Sequence, residues 1–420
     1  MNILILDHES VYPPVSGVQI AVYTTAKLLA KKNNVTVLSW GNKPSYKITI
    51  NNLKIIHIQH NSFNDLNSSI SINNMNDSYF TSLGRLLNIS QLMCIFSKGP
   101  SYNQVSHYLN ENYDIIIKEG PDSNEIAHIM HKKFNIQTVE RLHWVGTPWI
   151  LESIQKWYSF LNEKSTIPVN YQIKWNKLMD KIITKFETYN IKSKYIITLS
   201  PLDKIKIKKV YPKKDVNYIY PADYNENNLY QQNPKNRNLI LEKKIDQYKP
   251  YAFFFSMITD NLSIKLLMKI ASKFKNINFL ISGNFLINQF SQLPNNMKIL
   301  GFLNDNDLSY VLSNSKLILI PLLKGHGIQM KLMRALSTGK PIITTSAITR
   351  PYIDLKNNVN LLIRDDPIFF ENAIFQILNN KSLEEYLSIN SIKYYKEKLS
   401  NTIHYDAISK YLKEIIDKNK

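Results

Sequence analysis

The chain has 420 residues, and its 44% hydrophobic and 20% charged side chains are an ordinary globular composition, which excludes an intrinsically disordered protein. A single hydrophobic core rarely organises so many residues, so we expect two domains. The net charge of +19 is spread evenly, with 26 basic and 17 acidic side chains up to residue 225 and 26 and 16 beyond it, which argues against the single basic face of a nucleic-acid-binding module.

The N-terminus and the cysteine content indicate the compartment. The segment MNILILDHES lacks a basic start and is interrupted by Asp7, so it is predicted to be a strand rather than a signal peptide. Because Cys94 is the single cysteine, an internal disulfide and a cysteine-rich zinc site are excluded. We predict a cytoplasmic protein, peripheral at the inner membrane face if its lysines meet anionic lipid. A coding bias toward Asn, Ile, Lys and Tyr is the favoured explanation of the charge.

The first half alternates strand-like and helix-like segments, which predicts a parallel α/β domain over residues 1–225. Residues 2–6 are predicted to form the first strand, followed by a loop that ends at Gly17 and a helix over residues 18–32. Further strands are predicted at residues 35–40, 55–58, 115–118, 137–141 and 195–199.

A polar stretch, residues 225–250, is predicted to link this domain to a second α/β series over residues 226–399. Its strands are predicted at residues 252–256, 278–282, 298–300, 317–321, 341–345 and 361–363. The last 40 residues are predicted to be amphipathic helix. Ligands of open α/β sheets bind beyond the carboxyl ends of the strands, so the loops that follow these strands are the candidate binding loops.

Residues 317–346, LILIPLLKGHGIQMKLMRALSTGKPIITTS, are the most informative passage. A strand ends at Pro321, glycines follow, and a helix is predicted from Ile328 to Gly339. Free N–H groups at a helix start bind anions, and glycine lets a phosphate approach the backbone closely. Helical side chains lean toward the N-terminus, so Lys331 and Arg334 could reach that phosphate. A plain turn with solvated lysines is the alternative.

The same passage resembles the donor-binding segment of GT-B glycosyltransferases, above all the large retaining family 4, also called group 1. The matching residues, in order, are Pro321, Gly325, Gly327, Ile328, Lys331, Ala335, Gly339, Lys340 and Pro341. Residues 12–18, 138–144, 186–223, 253–261 and 281–283 also resemble parts of that family, whereas residues 40–110 offer little to match.

The resemblance implies an α/β fold of two facing Rossmann-like domains (GT-B) with an interdomain cleft. Residues 1–225 would form the acceptor-side domain and residues 226–399 the donor-binding domain, with the helix at 400–420 packing back on the first. The implied reaction moves a sugar from a nucleotide diphosphate sugar to a glycan or lipid-linked acceptor, with retention. It implies no cofactor and no metal, because helix dipole and cations would stabilise the leaving diphosphate.

The resemblance also assigns site residues. His143 and Lys331 would be catalytic. The residues expected to bind the donor are Gly17, Ser256, Asn261, Gly283, Lys324, Gly325, His326, Gly327, Ile328, Gln329 and Arg334. Glu119 and Trp144 would lie on the acceptor side. A core histidine, a helix-capping glutamate and a packed tryptophan are the structural alternatives for His143, Glu119 and Trp144.

The chain departs from the family at the Glu-x7-Glu pair, where His326 and Arg334 stand. Arginine has no acceptor and cannot take hydrogen bonds from a ribose, so Arg334 should bind additional negative charge or pair with a protein carboxylate. This departure leaves a catalytically inactive GT-B scaffold or a glycan-binding partner subunit as the main alternative. A sugar-nucleotide epimerase and a nucleic-acid-binding protein are weaker ones.

Overall fold

The structure is a computed structural model that describes residues 1–14, 16–60, 99–109, 112–120, 123–143, 191–223, 238–256, 261–283, 292–323 and 327–420. The described residues fall into two compact units. The first contains those up to residue 223 together with Asn401–Lys420, and the second contains those from 238 to 400.

The first unit is built on an eight-stranded sheet. Its strands are β1 (Asn2–Asp7), β2 (Asn34–Gly41), β3 (Tyr46–Ile50), β4 (Leu53–Gln59), β5 (Ile115–Lys118), β6 (Gln137–Leu142), β7 (Tyr195–Thr198) and β8 (Asp215–Tyr218). Their order is β3-β4-β2-β1-β5-β6-β7-β8; β3 and β4 pair antiparallel, and the other neighbours pair parallel. The strand order reverses between β1 and β5, which is the switch point of a Rossmann-like sheet.

The helices that precede residue 224 are α1 (Gly17–Leu29), α2 (Tyr102–Val105), α3 (Asn124–Phe134) and α4 (Pro201–Val210), with a 3₁₀ turn at Ser106–Tyr108. Helix α1 begins at a capping box. The Ser16 hydroxyl accepts from the Gln19 backbone N–H and the Gln19 side chain accepts from the Ser16 N–H, each at 3.2 Å. This reciprocal pair satisfies two amides at the helix start and fixes where α1 leaves the β1 loop.

The second unit has a six-stranded sheet. Its strands are β9 (Tyr251–Phe255), β10 (Asn278–Ser282), β11 (Met297–Gly301), β12 (Leu317–Ile320), β13 (Ile342–Thr344) and β14 (Leu362–Ile363). The order β11-β10-β9-β12-β13-β14 is parallel throughout and is the Rossmann order, with its switch point between β9 and β12. Its helices are α5 (Leu239–Asp246), α6 (Asn261–Ala271), α7 (Asp305–Asn314), α8 (Met330–Ser337), α9 (Ser346–Thr349), α10 (Pro367–Asn379) and α11 (Lys381–Tyr394), the last continued by a π-helical turn, Tyr395–Leu399.

The last helix, α12 (Asn401–Asp417), belongs to the first unit. Asn401 ties its start to Asp223, because its side chain accepts from the Asp223 N–H at 3.0 Å and donates to the Asp223 carbonyl at 2.8 Å. The buried stripe of α12 packs with α1 and the β1 side chains in one hydrophobic cluster. That stripe is Ile408, Tyr411, Leu412 and Ile415. The core of the first unit therefore contains residues from both ends of the sequence.

Successive side chains of a strand point to opposite faces of the sheet, and this decides where the charged residues of β5 and β6 lie. Ile115, Ile117 and Val139 belong to the cluster with α1 and α12, whereas Ile116 belongs to the cluster with α3. The same alternation continues at the carboxyl ends of both strands. It places Glu119, Arg141 and His143 on the α1/α12 face.

Lys118 and Glu140 lie on the opposite, α3 face of the sheet. The Lys118 ammonium pairs with the Glu140 carboxylate at 2.8 Å, and both side chains are 1% exposed. The same ammonium also donates to the Asn124 side chain at the start of α3. At the ends of β5 and β6, one buried ion pair therefore lies on each face of the sheet: Lys118–Glu140 on the α3 face and Arg141–Glu119 on the α1/α12 face.

The predicted fold class, two Rossmann-like α/β domains, is confirmed by these sheets. Two local predictions were wrong. The predicted linker at 225–250 contains α5, whose Glu242 and Ile245 are buried. Strands β3 and β8 were not predicted. Strand β3 pairs antiparallel, and its side chains alternate between half-buried and exposed. Asp305 and Asp307 occupy the first turn of α7, where the positive end of the helix dipole stabilises carboxylates.

Among the helices of the described residues, none is long and apolar enough to cross a membrane.

Candidate functional site

The predicted site residues gather at the switch points of the two sheets. In the first unit Glu119 follows β5 and donates its backbone N–H to the Leu6 carbonyl of β1 at 2.9 Å. In the second unit Ser256 follows β9. Open α/β sheets bind ligands at these points, so each unit has one candidate centre.

The first centre is a buried cluster of Glu119, Arg141 and His143. The Arg141 Nε donates to Glu119 Oε2 at 2.8 Å, and Arg141 Nη2 lies 2.7 Å from Oε1, a two-pronged ion pair. His143 Nε2 lies 2.9 Å from the same Oε2. The Glu119 side chain is 0% exposed and that of His143 is 8% exposed, so the carboxylate lies behind the imidazole and away from solvent.

The protonation of the cluster follows from these contacts. Burial alone would raise the pKa of Glu119, but the charge of Arg141 and the hydrogen bonds from His143 and Arg141 hold that pKa below its ordinary value. Burial lowers the pKa of His143 more than the Glu119 carboxylate raises it. Glu119 is therefore ionised and His143 neutral near pH 7. An ionised carboxylate only accepts, so Nε2 of His143 carries the hydrogen and Nδ1 is the basic nitrogen.

This geometry bears on two predicted roles. His143 was predicted to be catalytic, and a neutral imidazole held in one tautomer is suited to accept a hydrogen bond from a hydroxyl. Contact between Glu119 and an acceptor stays a prediction, since the structure shows its carboxylate occupied by Arg141 and His143. Trp144, the other acceptor-side prediction, lies outside the described residues.

Two further buried residues extend the cluster, and the sequence reading missed both. Arg141 Nη1 donates to the Thr25 hydroxyl of α1 at 2.8 Å, and that hydroxyl is 3.0 Å from His404 Nε2 of α12. His404 Nδ1 lies 2.7 Å from the Tyr220 carbonyl. The available signal was the period of α12, since His404 stands four residues before Ile408 on its apolar stripe.

The burial of His404 predicts an acid-sensitive fold. Burial lowers the pKa of His404 from 6.5 to about 4, although its hydrogen bond to the Tyr220 carbonyl acts in the opposite direction. Between these pH values the unfolded chain binds a proton that the folded chain does not. The free energy of unfolding should therefore have its full value above pH 6.5 and fall by up to about 3 kcal/mol as the pH drops to 4.

Equilibrium urea unfolding across this pH range measures the effect. His404→Gln should lose this part of the decline, whereas His128→Gln, which removes an exposed imidazole of α3, should leave the profile as in the parent protein. A His404→Gln protein with the full decline would contradict the assignment.

The second centre joins Lys331 to Ser256. The Lys331 ammonium donates to the Ser256 hydroxyl at 3.1 Å, and Ser256 is 6% exposed. The backbone N–H of Ser256 donates to the Ser282 carbonyl at 3.0 Å, so β9 and β10 hold it in place. The lysine predicted to meet a phosphate thus lies at the carboxyl end of β9, beside the switch point.

Helix α8 supplies the backbone part of this centre. It begins at Met330, with Gln329 as its N-cap, two residues later than predicted. Gly327 precedes it with a φ of 52°, in the left-handed region that favours glycine over residues with a Cβ. The first N–H groups of a helix lack intrahelical acceptors, and those of α8 lie next to Lys331; the binding of a phosphate there stays a prediction.

Arg334 pairs with a protein carboxylate, which is the second of the two roles predicted for it. Its Nη1 lies 3.1 Å from Asp305 Oδ1 at the start of α7, and its side chain is 10% exposed. The pair joins the last turn of α8 to the first turn of α7. Arg334 therefore has a structural partner that explains why arginine can stand here, and its contact with a donor stays a prediction.

The remaining predicted donor residues are distributed as follows. Gly17 begins α1, Asn261 begins α6, and Gly283 follows β10. Ile328 lies with Gln329 just before α8 and is half-buried. Lys324, Gly325 and His326 lie outside the described residues. Within the described part of the chain, no group of three or more His, Cys, Asp or Glu side chains is placed to hold a metal ion.

Comparison with known proteins agrees with this architecture. Residues 249–380 match the family described as glycosyl transferases group 1, a segment that contains Ser256, α8 and Lys331. No curated protein matches the chain.

Several solved structures share the fold over the whole chain. Sucrose-phosphate synthase from Thermosynechococcus elongatus is 13% identical with a TM-score of 0.65, covering 99% of both chains. HepE from Anabaena in complex with UDP is 12% identical with a TM-score of 0.61, covering 99% of this chain and 100% of the other. A glycosyltransferase from Rickettsia africae is 16% identical with a TM-score of 0.58, covering 100% and 99%.

The matched family segment includes the switch-point centre of the second unit, and the paired Rossmann-like sheets are those of the GT-B fold. Residues 249–380 are thus similar to a group 1 glycosyltransferase domain, and the whole chain has the GT-B fold of the structures that it matches.

Proposed function

We propose that this enzyme transfers a sugar from a nucleoside diphosphate sugar to a hydroxyl group of a glycan or lipid-linked acceptor, with retention and without a metal or cofactor. The observation that carries the proposal is the Lys331–Ser256 contact at the start of α8, inside the matched group 1 segment. The HepE structure with UDP supports a nucleoside diphosphate as the leaving group.

The reaction breaks the bond between the anomeric carbon and a diphosphate oxygen, and it forms a bond from that carbon to the acceptor oxygen. The diphosphate leaves with the bonding electron pair. With retention the acceptor enters on the face that the diphosphate leaves, so a diphosphate oxygen is the nearest base for the hydroxyl proton. Lys331 and the amides at the start of α8 would stabilise the growing negative charge, which is why no metal is invoked.

His143 would hold the transferred sugar. Its Nε2–H is committed to Glu119, so its Nδ1 would accept a hydrogen bond from a sugar hydroxyl. The hydrogen bond between His143 and Glu119 fixes the imidazole before the donor arrives, which lowers the entropic cost of orienting the sugar.

A peripheral position at an anionic membrane face is part of the proposal, and a basic groove on the first unit supports it. The groove has a volume of about 460 Å³ and is lined by residues of α4 and β8. Those residues are Pro201, Lys204, Ile205, Lys208, Lys209 and Tyr218. Ile205 is 47% exposed and Tyr218 40%, so lysines beside exposed apolar groups could meet anionic headgroups and the lipid beneath them.

The test is incubation with a panel of nucleoside diphosphate sugars, read out as nucleoside diphosphate released with and without candidate acceptors. His143→Ala should lower turnover of the accepted donor about tenfold, as expected for the loss of one contact made in the transition state. His128→Ala, which removes an exposed imidazole of α3, is the matched control.

Three results would count against the proposal. Full turnover in the His143→Ala protein would remove the role of this residue. Absence of any nucleoside diphosphate binding by calorimetry would favour the inactive scaffold, and donor conversion without an acceptor would favour an epimerase.

A further inference from the structure

A continuous line of hydrogen bonds joins the C-terminal helix α12 to His143. His404 contacts the Thr25 hydroxyl at 3.0 Å, and Arg141 donates to the same hydroxyl at 2.8 Å. Arg141 grips Glu119 at 2.8 and 2.7 Å, and Glu119 holds His143 at 2.9 Å. Residue 404 is thereby connected to residue 143 through side chains alone.

The partners of His404 constrain the hydrogens along this line. A carbonyl only accepts, so His404 Nδ1 must donate to Tyr220, and in the neutral imidazole Nε2 is then an acceptor. The Thr25 hydroxyl is the donor that it meets, and Ala21 competes for that hydrogen at 2.7 Å. The hydroxyl oxygen then has a lone pair directed to the Arg141 N–H. The orientation of the Thr25 hydroxyl thus depends on the competition between His404 and the Ala21 carbonyl.

The line is buried along its length. Thr25 is 0% exposed, Arg141 1%, Glu119 2% and His404 3%. Buried polar groups that lose a partner cannot turn to bulk water, so they reorient toward the partners that remain. A change at one end is therefore passed along the line instead of being absorbed by solvent.

We infer that His404 is a positioning residue for His143, acting through Thr25, Arg141 and Glu119. His404 fixes the Thr25 hydroxyl, which holds the third donor of the Arg141 guanidinium. The guanidinium sets the plane of the Glu119 carboxylate, and the carboxylate sets the ring orientation and the tautomer of His143. The catalytic consequence rests on the proposed function, whereas the orientation of the imidazole does not.

Two substitutions at residue 404 separate positioning from packing. In His404→Asn the amide nitrogen stands near the former Nδ1 and can keep the bond to the Tyr220 carbonyl, but nothing reaches Thr25. In His404→Gln the longer side chain brings an amide oxygen near the former Nε2, where it can accept from Thr25. Each variant keeps one of the two hydrogen bonds, so a merely structural role predicts similar effects for both.

The first measurement uses the full chain without substrate. The ¹⁵N chemical shifts of the His143 imidazole report which nitrogen carries the hydrogen, with His143→Gln used to assign the signals. We expect the parent protein and His404→Gln to show the Nε2–H form, and His404→Asn to show a mixture of tautomers. Identical His143 spectra for the parent protein and His404→Asn would overturn the inference, as would equal changes in both variants.

The second measurement is donor turnover with the accepted nucleoside diphosphate sugar. His404→Asn should lower kcat about fivefold with an unchanged donor KM, because binding is retained and orientation is lost, whereas His404→Gln should stay within about twofold. A loss confined to KM, or the same loss in both variants, would count against positioning. If the parent protein turns over no donor, the proposed function fails, and the spectra alone decide this inference.

Discussion

Replacing Arg141 with methionine is expected to lower the free energy of unfolding of the first unit by about 3–5 kcal/mol, because the Glu119 carboxylate is left as a buried charge without its partner. Both side chains of this pair are at most 1% exposed, so water cannot replace the guanidinium. Equilibrium urea unfolding at pH 7 measures the difference.

A matched control is Arg350→Met, which removes an exposed guanidinium beyond the end of α9 and should change stability by less than about 0.5 kcal/mol. Adding Glu119→Met to the Arg141→Met protein should restore part of the loss, since a hydrophobic pair of similar volume can replace a buried ion pair. A single Arg141→Met protein as stable as the parent would show that this ion pair does not hold the cluster together.

Replacing Lys331 with methionine is expected to lower kcat/KM for the donor about 100-fold, the effect of losing one preorganised charge at the leaving group. Methionine keeps the length of the apolar stem, so packing beside Ser256 is retained. Lys298→Met on β11, which removes an exposed ammonium of the same unit, should leave kcat/KM unchanged.

Calorimetry separates charge from structure in the Lys331→Met protein. Binding of a nucleoside diphosphate should weaken strongly, whereas binding of the corresponding nucleoside, which has no phosphate, should stay as in the parent protein. Equal weakening of both ligands would mean that Lys331 supports the fold of the pocket and does not contact the diphosphate.

The sequence predicted the parts of this molecule that depend on local periodicity. Apolar strands alternating with amphipathic helices indicated two Rossmann-like sheets, and the glycines in residues 317–346 indicated a helix start near Lys331, where phosphate binding stays a prediction. Residues 317–346 could be interpreted alone because strand, turn and helix start lie within one βαβ unit. The family resemblance then indicated His143 as well.

The long-range contacts of the first centre could not be predicted in this way. Arg141 pairs with Glu119 because β5 and β6 are neighbours in the sheet, and His404 meets Thr25 across almost the whole sequence. A guanidinium inside a buried strand was the one local signal, since a buried charge requires a partner. The partner itself is set by strand order and by the packing of α12, which no single window of sequence contains.

The partner of Arg334 could not be predicted from local sequence either. The sequence showed that this position cannot accept hydrogen bonds from a ribose, but the carboxylate that it pairs with lies 29 residues earlier at the start of α7. The pairing became visible once α7 and α8 were placed side by side.

The position of α12 has a consequence for biosynthesis. A ribosome releases the second unit in full before it releases the helix that covers α1, although domains usually fold in the order of their synthesis. The apolar faces of α1 and β1 therefore stay uncovered until residues 401–420 have been synthesised. Premature termination after residue 400 would produce a polypeptide with an intact group 1 segment beside an open core, a substrate for quality-control proteases.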